Sequence, residues 1–121
     1  MTALTSKQHE DVLVVGFTDI KILDDTRIQQ LGKELLEQVA IAPAGKMLLD
    51  FSGVSFMSSA MIGKLVLLNK KCRQDEVNLK MCNISPNVAE VFKIMKLNKL
   101  FDIQKDQEKA IKSFDKKGWF A

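Results

Sequence analysis

Residues 46 to 68 read KMLLDFSGVSFMSSAMIGKLVLL, and the order of apolar and polar side chains in them decides the architecture. KMLLDF, residues 46 to 51, is a short apolar run of the kind that forms a strand buried on both faces. A polar turn follows, and from about residue 59 to 74 the period changes. Ile62, Leu65, Val66, Asn69 and Cys72 fall on or near one helical face, while Lys64, Lys70, Lys71 and Arg73 fall mostly on the others. A buried strand feeding a helix is half of a βαβ unit. At the junction stand two adjacent hydroxyls, Ser58 and Ser59, where a helix cap needs only one.

Working outward, DVLVVGF at 11 to 17 is a β-branched strand, and TALTSKQHE before it reads as a weaker edge strand. TRIQQLGKELLEQVA, 26 to 40, puts Ile28, Leu31, Leu35 and Val39 on one helical face. Asp25 or Thr26 serves as its cap, Thr26 and Gln29 fit a capping box, and the pair Asp24-Asp25 suits the helix dipole. Gly32 costs this helix about 1 kcal/mol relative to alanine, which points to close packing there. APAG at 42 to 45 ends the helix. VNLKMCNI, 77 to 84, alternates as a strand, and Ser85-Pro86 starts the next helix, with Val88, Val91, Phe92 and Met95 as its apolar stripe. Asn98 is the expected left-handed terminator, and LFDI at 100 to 103 the closing strand. Residues 105 to 117 form a charged amphipathic helix anchored by Ala110, Ile111 and Phe114. The terminal Trp119-Phe120 is open to two readings, a contact patch or a cover over the fold. Strands alternating with helices give an α/β domain with a mixed sheet.

A chain of 121 residues, 46% apolar and 27% charged, is one domain able to bury a single core. The net charge of +3 is spread along the chain, and with no tyrosine and one tryptophan there is no basic or base-stacking platform for nucleic acid. Cys72 and Cys82 lack CxxC spacing and read as reduced core thiols of a cytoplasmic protein. The N-terminal residues lack a signal-peptide pattern, and no run reaches the ~18 apolar residues of a membrane span.

The residues also argue against catalysis. One histidine, His9, and two separated cysteines do not make a metal site or a triad. The glycines fit neither a dinucleotide fingerprint nor a phosphate loop. Lys64, Lys70, Lys71 and Arg73 read as the solvated face of a helix, with an anionic partner as the alternative. Physics alone leaves two roles for the paired serines. Both compete to cap the helix, or Ser58 caps it while Ser59 presents a hydroxyl for modification.

Residues 50 to 63, DFSGVSFMSSAMIG, resemble the signature of STAS domains, the anti-sigma factor antagonists, whose pattern is roughly D-[LF]-S-x-V-x-F-[ILM]-D-S-[ST]-G-[LI]-[GA]. A second block, LKMCNISPNVAEVFKIMKLNKLFDI at 79 to 103, is similar to the family's strand, Ser-Pro-capped helix and closing strand. A third, weaker match is Ile22-Leu23-Asp24. The resemblance implies a single STAS domain over residues 1 to 121. Its expected fold is a mixed four- to five-stranded sheet with about four helices packed mainly on one side. It implies a non-enzymatic switch that binds an anti-sigma factor, often a serine protein kinase, with a PP2C-type phosphatase resetting it. No cofactor, metal, nucleic acid or membrane insertion belongs to that role.

The family's acceptor position falls on Ser59, with Ser58 as second choice. The implied partner-facing residues are Asp24, Ser58, Ser59, Ala60, Met61 and Lys64. The chain departs from the pattern around the acceptor: Ser58 replaces the preceding acid, Ala60 the following hydroxyl residue, and Met61 the glycine. Met61 is therefore expected to add bulk to the partner surface. The alternative implied role is a STAS subunit of a stress-sensing assembly or of a membrane transport complex, without a phosphorylation switch.

Overall fold

Residues 4–42 and 45–114 are described by a computed structural model. The β-branched run forms β2 (Val12–Phe17), and the polar stretch before it forms the edge strand β1 (Leu4–His9). They are antiparallel neighbours, joined by a tight turn in which Glu10 takes a positive φ of 57°. A two-residue strand, β3 (Lys21–Ile22), leads into α1 (Asp25–Ile41). Then come β4 (Lys46–Asp50), the two-residue β5 (Phe56–Met57), α2 (Ser59–Gln74) and β6 (Asn78–Cys82). The described chain closes with α3 (Pro86–Ile94), β7 (Asp102–Gln104) and α4 (Gln107–Phe114).

Five strands lie in the order β1-β2-β4-β6-β7, with every pair but the first parallel. The expected mixed sheet is therefore present at its upper strand count. Because side chains alternate across a strand, Leu13, Val15, Met47, Leu49, Leu79 and Met81 join the main core with the buried faces of α1, α2 and α3. Val12, Val14, Leu48 and Cys82 face the other way and are covered by Ala110, Ile111 and Phe114 of α4. Lys80 shares that second face. Its ammonium is buried between Asp102, at 2.6 Å, and the Phe114 ring, at 5.1 Å. Gly32 has the expected reason, since a Cβ there would lie 2.9 Å from the Lys64 stem.

Three local expectations are corrected. Asp24, one residue before the candidates, caps α1: its carboxylate accepts from the Arg27 N–H at 2.9 Å. The left-handed terminator of α3 is Lys96 (φ 60°), not Asn98, and the Leu97 N–H donates to the Phe92 carbonyl at 2.8 Å to close a Schellman-type end. The last strand starts two residues late, because the Leu100 N–H is held by the Leu97 carbonyl and Phe101 turns into the core. Of the tail helix expected at 105 to 117, residues 107–114 are helical; residues 115–117, with Trp119 and Phe120, lie outside the described residues.

A parallel pairing of β3 with β5, with Lys21 opposite Phe56 and Ile22 opposite Met57, makes a separate ribbon. Two-residue strands are too short for a periodicity reading. This ribbon positions the serine pair.

Candidate functional site

At the carboxyl ends of the parallel strands, where open α/β sheets place their sites, the segment from Asp50 to Ser59 is held at successive points. Asp50 accepts from the Ser52 N–H and from the Asn83 amide, each at 2.9 Å, which turns the chain sharply after β4. Gly53 supports that turn with φ +90°, a conformation that costs other residues strain. Phe51 then inserts into the core and stacks on Phe17, with ring centroids 4.8 Å apart, and Val54 is buried beside them. The Ser55 N–H donates to the Ile20 carbonyl at 2.8 Å, and the Ser85 hydroxyl donates to the Ser55 carbonyl at 3.2 Å. Finally the Ser58 N–H donates to the Ile22 carbonyl at 3.0 Å. The start of α2 is thus fixed to the ribbon and to α3 rather than left on a loose loop.

The two serines are not equivalent. Ser58 is the N-cap residue by position, and its carbonyl accepts from the Met61 and Ile62 N–H groups. Its hydroxyl makes no capping bond, however; the oxygen is buried, with no hydrogen-bond partner among the described residues. The expectation that the Ser58 side chain caps the helix is corrected here. Ser59 is the first helical residue and its side chain is exposed. The first N–H groups of a helix have no partners within it, and they carry the positive end of the dipole. The first turn of α2 holds no acidic residue, and no side chain caps it, so this end is electropositive and open.

Ala60 is exposed beside Ser59. Met61 is fully buried with Ile62, so the expectation that it adds bulk to a partner surface is overturned. Its position two residues after Ser59 turns it onto the inward face of the helix, where it fills the core. Lys64 is half-buried: its stem crosses Gly32 and its ammonium donates to Gln29 at 2.9 Å, tying α2 to α1. Asp24 is exposed at the end of the ribbon, its carboxylate occupied with capping α1. The ribbon also exposes apolar side chains that sequence reasoning missed, Ile20 at 65%, Leu23 at 51% and Phe56 at 37%. Once the ribbon is known, Phe56 is legible, since it lies opposite Lys21 while their neighbours Ile22 and Met57 point inward.

Among the described residues, the site brings together no acid–base pair and no nucleophile activated by a neighbour. It offers a hydroxyl on an electropositive helix end, rimmed by apolar side chains. That suits docking and charge control.

The STAS domain family model matches residues 3–110. BtrV of Bordetella bronchiseptica, assigned by name to the anti-sigma factor antagonists, is 29% identical over 93 residues, which is 77% of this chain and 79% of BtrV. An anti-sigma-factor antagonist (STAS) domain protein of Planctomyces limnophilus superposes with a TM-score of 0.81 at 19% identity, covering 93% of this chain and 98% of the other. The Bacillus cell fate determinant SpoIIAA in its phosphorylated form superposes with a TM-score of 0.67 at 16% identity, covering 93% and 99%. The two solved structures establish likeness of fold. Among the described residues, no helix is long and apolar enough to cross a membrane.

Proposed function

The chain belongs to the STAS domain family, and we propose that it works there as an anti-sigma factor antagonist, a cytoplasmic binding module and not an enzyme. It docks an anti-sigma factor, itself a serine kinase, through the N-terminal end of α2, the β3–β5 ribbon and Asp24. The kinase phosphorylates Ser59, and a PP2C-type phosphatase restores the hydroxyl. The observation that carries this reading is the division of labour within the serine pair, Ser59 outward on an uncapped helix end and Ser58 inward. The name of BtrV supports the role, and the existence of a phosphorylated SpoIIAA supports the chemistry on this fold.

The switch needs no change of fold. A phosphate adds about −1.5 to −2 charges and sits comfortably at a helix N-terminus, where backbone N–H groups and the dipole favour it. A partner pressed against Ile20, Leu23 and Phe56 meets that charge at close range. If repulsion, desolvation and bulk together cost about 3 kcal/mol, affinity falls on the order of a hundredfold.

The test is mass spectrometry on the tagged protein purified from its own cells with phosphatase inhibitors, together with identification of what co-purifies. Phosphate on Ser59 in a fraction of molecules, and a kinase-type partner recovered with Ser59→Ala but lost with Ser59→Asp, is the expected result. Ser59→Asp should leave stability within about 1 kcal/mol, as an exposed substitution does. Phosphate on Ser58 instead, or equal partner recovery with both variants, overturns the proposal.

A further inference from the structure

A second surface lies down the helices from the serines, on the outer side of α1 and α2. The close approach permitted by Gly32 leaves a shallow groove of about 530 Å³ between the two helices. Leu36 and Ala40 from α1 and Leu67 from α2 form its apolar lining. Leu36 is 40% exposed and Leu67 54% exposed, although both sit on helices whose opposite faces fill the core. Three lysines flank the leucines, Lys33 on α1 and Lys64 and Lys71 on α2, against a single lining acid, Glu37. Lys64 donates to the neutral Gln29, and among the described residues Lys71 is the one of the three paired with a carboxylate, that of Asp75 at 3.2 Å. The groove therefore has an apolar floor and a lining with three lysines against one acid, the excess lying on the α2 wall, where Lys64 and Lys71 stand, while Lys33 and Glu37 offset each other on α1.

We propose that this groove docks an acidic amphipathic helix of a partner protein, its leucine-type side chains seated between Leu36 and Leu67 and its carboxylates facing the lysines. Two helical walls with an apolar floor between them are a shape that a single helix fills, and the excess of lysine selects the sign of its flanks. A second copy of this chain is disfavoured as occupant, because pairing groove to groove brings together two linings that each hold three lysines and one acid. Leu67, the apolar centre of the α2 wall, lies about two helical turns from Ser59, so docking there is separable from the switch proposed above.

The probe is a fluorescein-labelled peptide of about four helical turns, with leucines on one face and glutamates on the flanks. Its counterpart carries lysines on the flanks. Fluorescence anisotropy on the whole chain should give at least about tenfold tighter binding of the acidic peptide, with amide shifts in an NMR titration clustered at residues 29–40 and 64–71. Leu67→Asn, and separately Lys33→Glu, should each weaken binding by about tenfold. Ser59→Asp should leave it unchanged, which separates failure of the groove from failure of the switch. Equal binding of the two peptides, or shifts clustered at residues 56–60, overturns the proposal. So does Leu67-dependent binding to phosphatidylglycerol vesicles without peptide binding, which would assign the groove to a membrane surface. Leu67-dependent dimerisation in sedimentation velocity, again without peptide binding, would overturn it in favour of self-association.

Discussion

Replacing Ser58 with alanine should not destabilise the protein, although serine-to-alanine changes at helix N-caps ordinarily cost about 0.5–2 kcal/mol. That cost comes from losing the bond between the hydroxyl and a first-turn N–H. Here no such bond exists, and the carbonyl of residue 58, which does accept from Met61 and Ile62, is kept by alanine. What the substitution removes is a buried oxygen without a partner among the described residues. An unsatisfied buried polar group costs about 1–3 kcal/mol, of which a half-buried residue recovers a part. The expected change therefore runs from about zero to 1 kcal/mol in favour of Ser58→Ala, a rise of up to about 4 °C in midpoint for a domain of this size. Ser85→Ala is the internal control, because the Ser85 hydroxyl accepts from the Val88 N–H at 3.3 Å and donates to the Ser55 carbonyl at 3.2 Å. It should lose about 1–2 kcal/mol. Urea unfolding of the three proteins at 25 °C, compared at constant m-value, measures both changes. A loss of 1 kcal/mol or more in Ser58→Ala would mean that its hydroxyl caps α2, and would refute the inward assignment.

Met61→Gly, which moves the chain toward the family pattern, should cost about 3–6 kcal/mol, combining loss of a buried methionine side chain with the helix penalty of glycine. Urea unfolding checks this; a variant as stable as the parent would mean Met61 is not in the core. Burial pushes the Cys72 thiol up to about 11, and burial with the nearby Asp50 charge pushes Cys82 up to about 12, from an ordinary value of 9.0. Raised folded values mean that the folded chain holds protons the unfolded chain releases. This contribution is complete below pH 9 and lost as pH rises through 11 to 12. Iodoacetamide at pH 8.5 should label neither thiol until urea unfolds the chain, and the thermal midpoint should fall above pH 9 less steeply in Cys82→Ala.

Much of the architecture was legible because it rests on period. The apolar run at 46 to 51, the stripe Ile28-Leu31-Leu35-Val39 and the start Ser85-Pro86 each carry a local signal that burial then uses. α2 begins at Ser59 and ends at Gln74, as its pattern implied. What escaped was decided by tertiary geometry. The β3–β5 ribbon joins residues 35 apart through strands of two residues, which leave no alternation to count. Lys96 takes the left-handed position because the Schellman bonds to Phe92 and Lys93 fall there, although asparagine two residues later has the better intrinsic preference. The direction of the Ser58 hydroxyl depends on what packs against it and could not be read from its neighbours in the chain.

The contrast between Ser59 and Met61 explains how this helix end can accept the proposed switch without loss of stability. Four consecutive residues divide by helical phase: Ser59 and Ala60 face solvent, Met61 and Ile62 face the core. A charge placed on Ser59 meets water, the helix dipole and whatever docks there, and it does not reach the buried pair. The replacement of the family's acid by Ser58 has a second consequence. The first turn of α2 now lacks any carboxylate, so a phosphate on Ser59 would be the first negative charge in that turn rather than an addition to one. The change in local potential on phosphorylation is then a reversal of sign. A partner selected for the unmodified, electropositive end would be rejected by that reversal even though the apolar rim of Ile20, Leu23 and Phe56 stays in place.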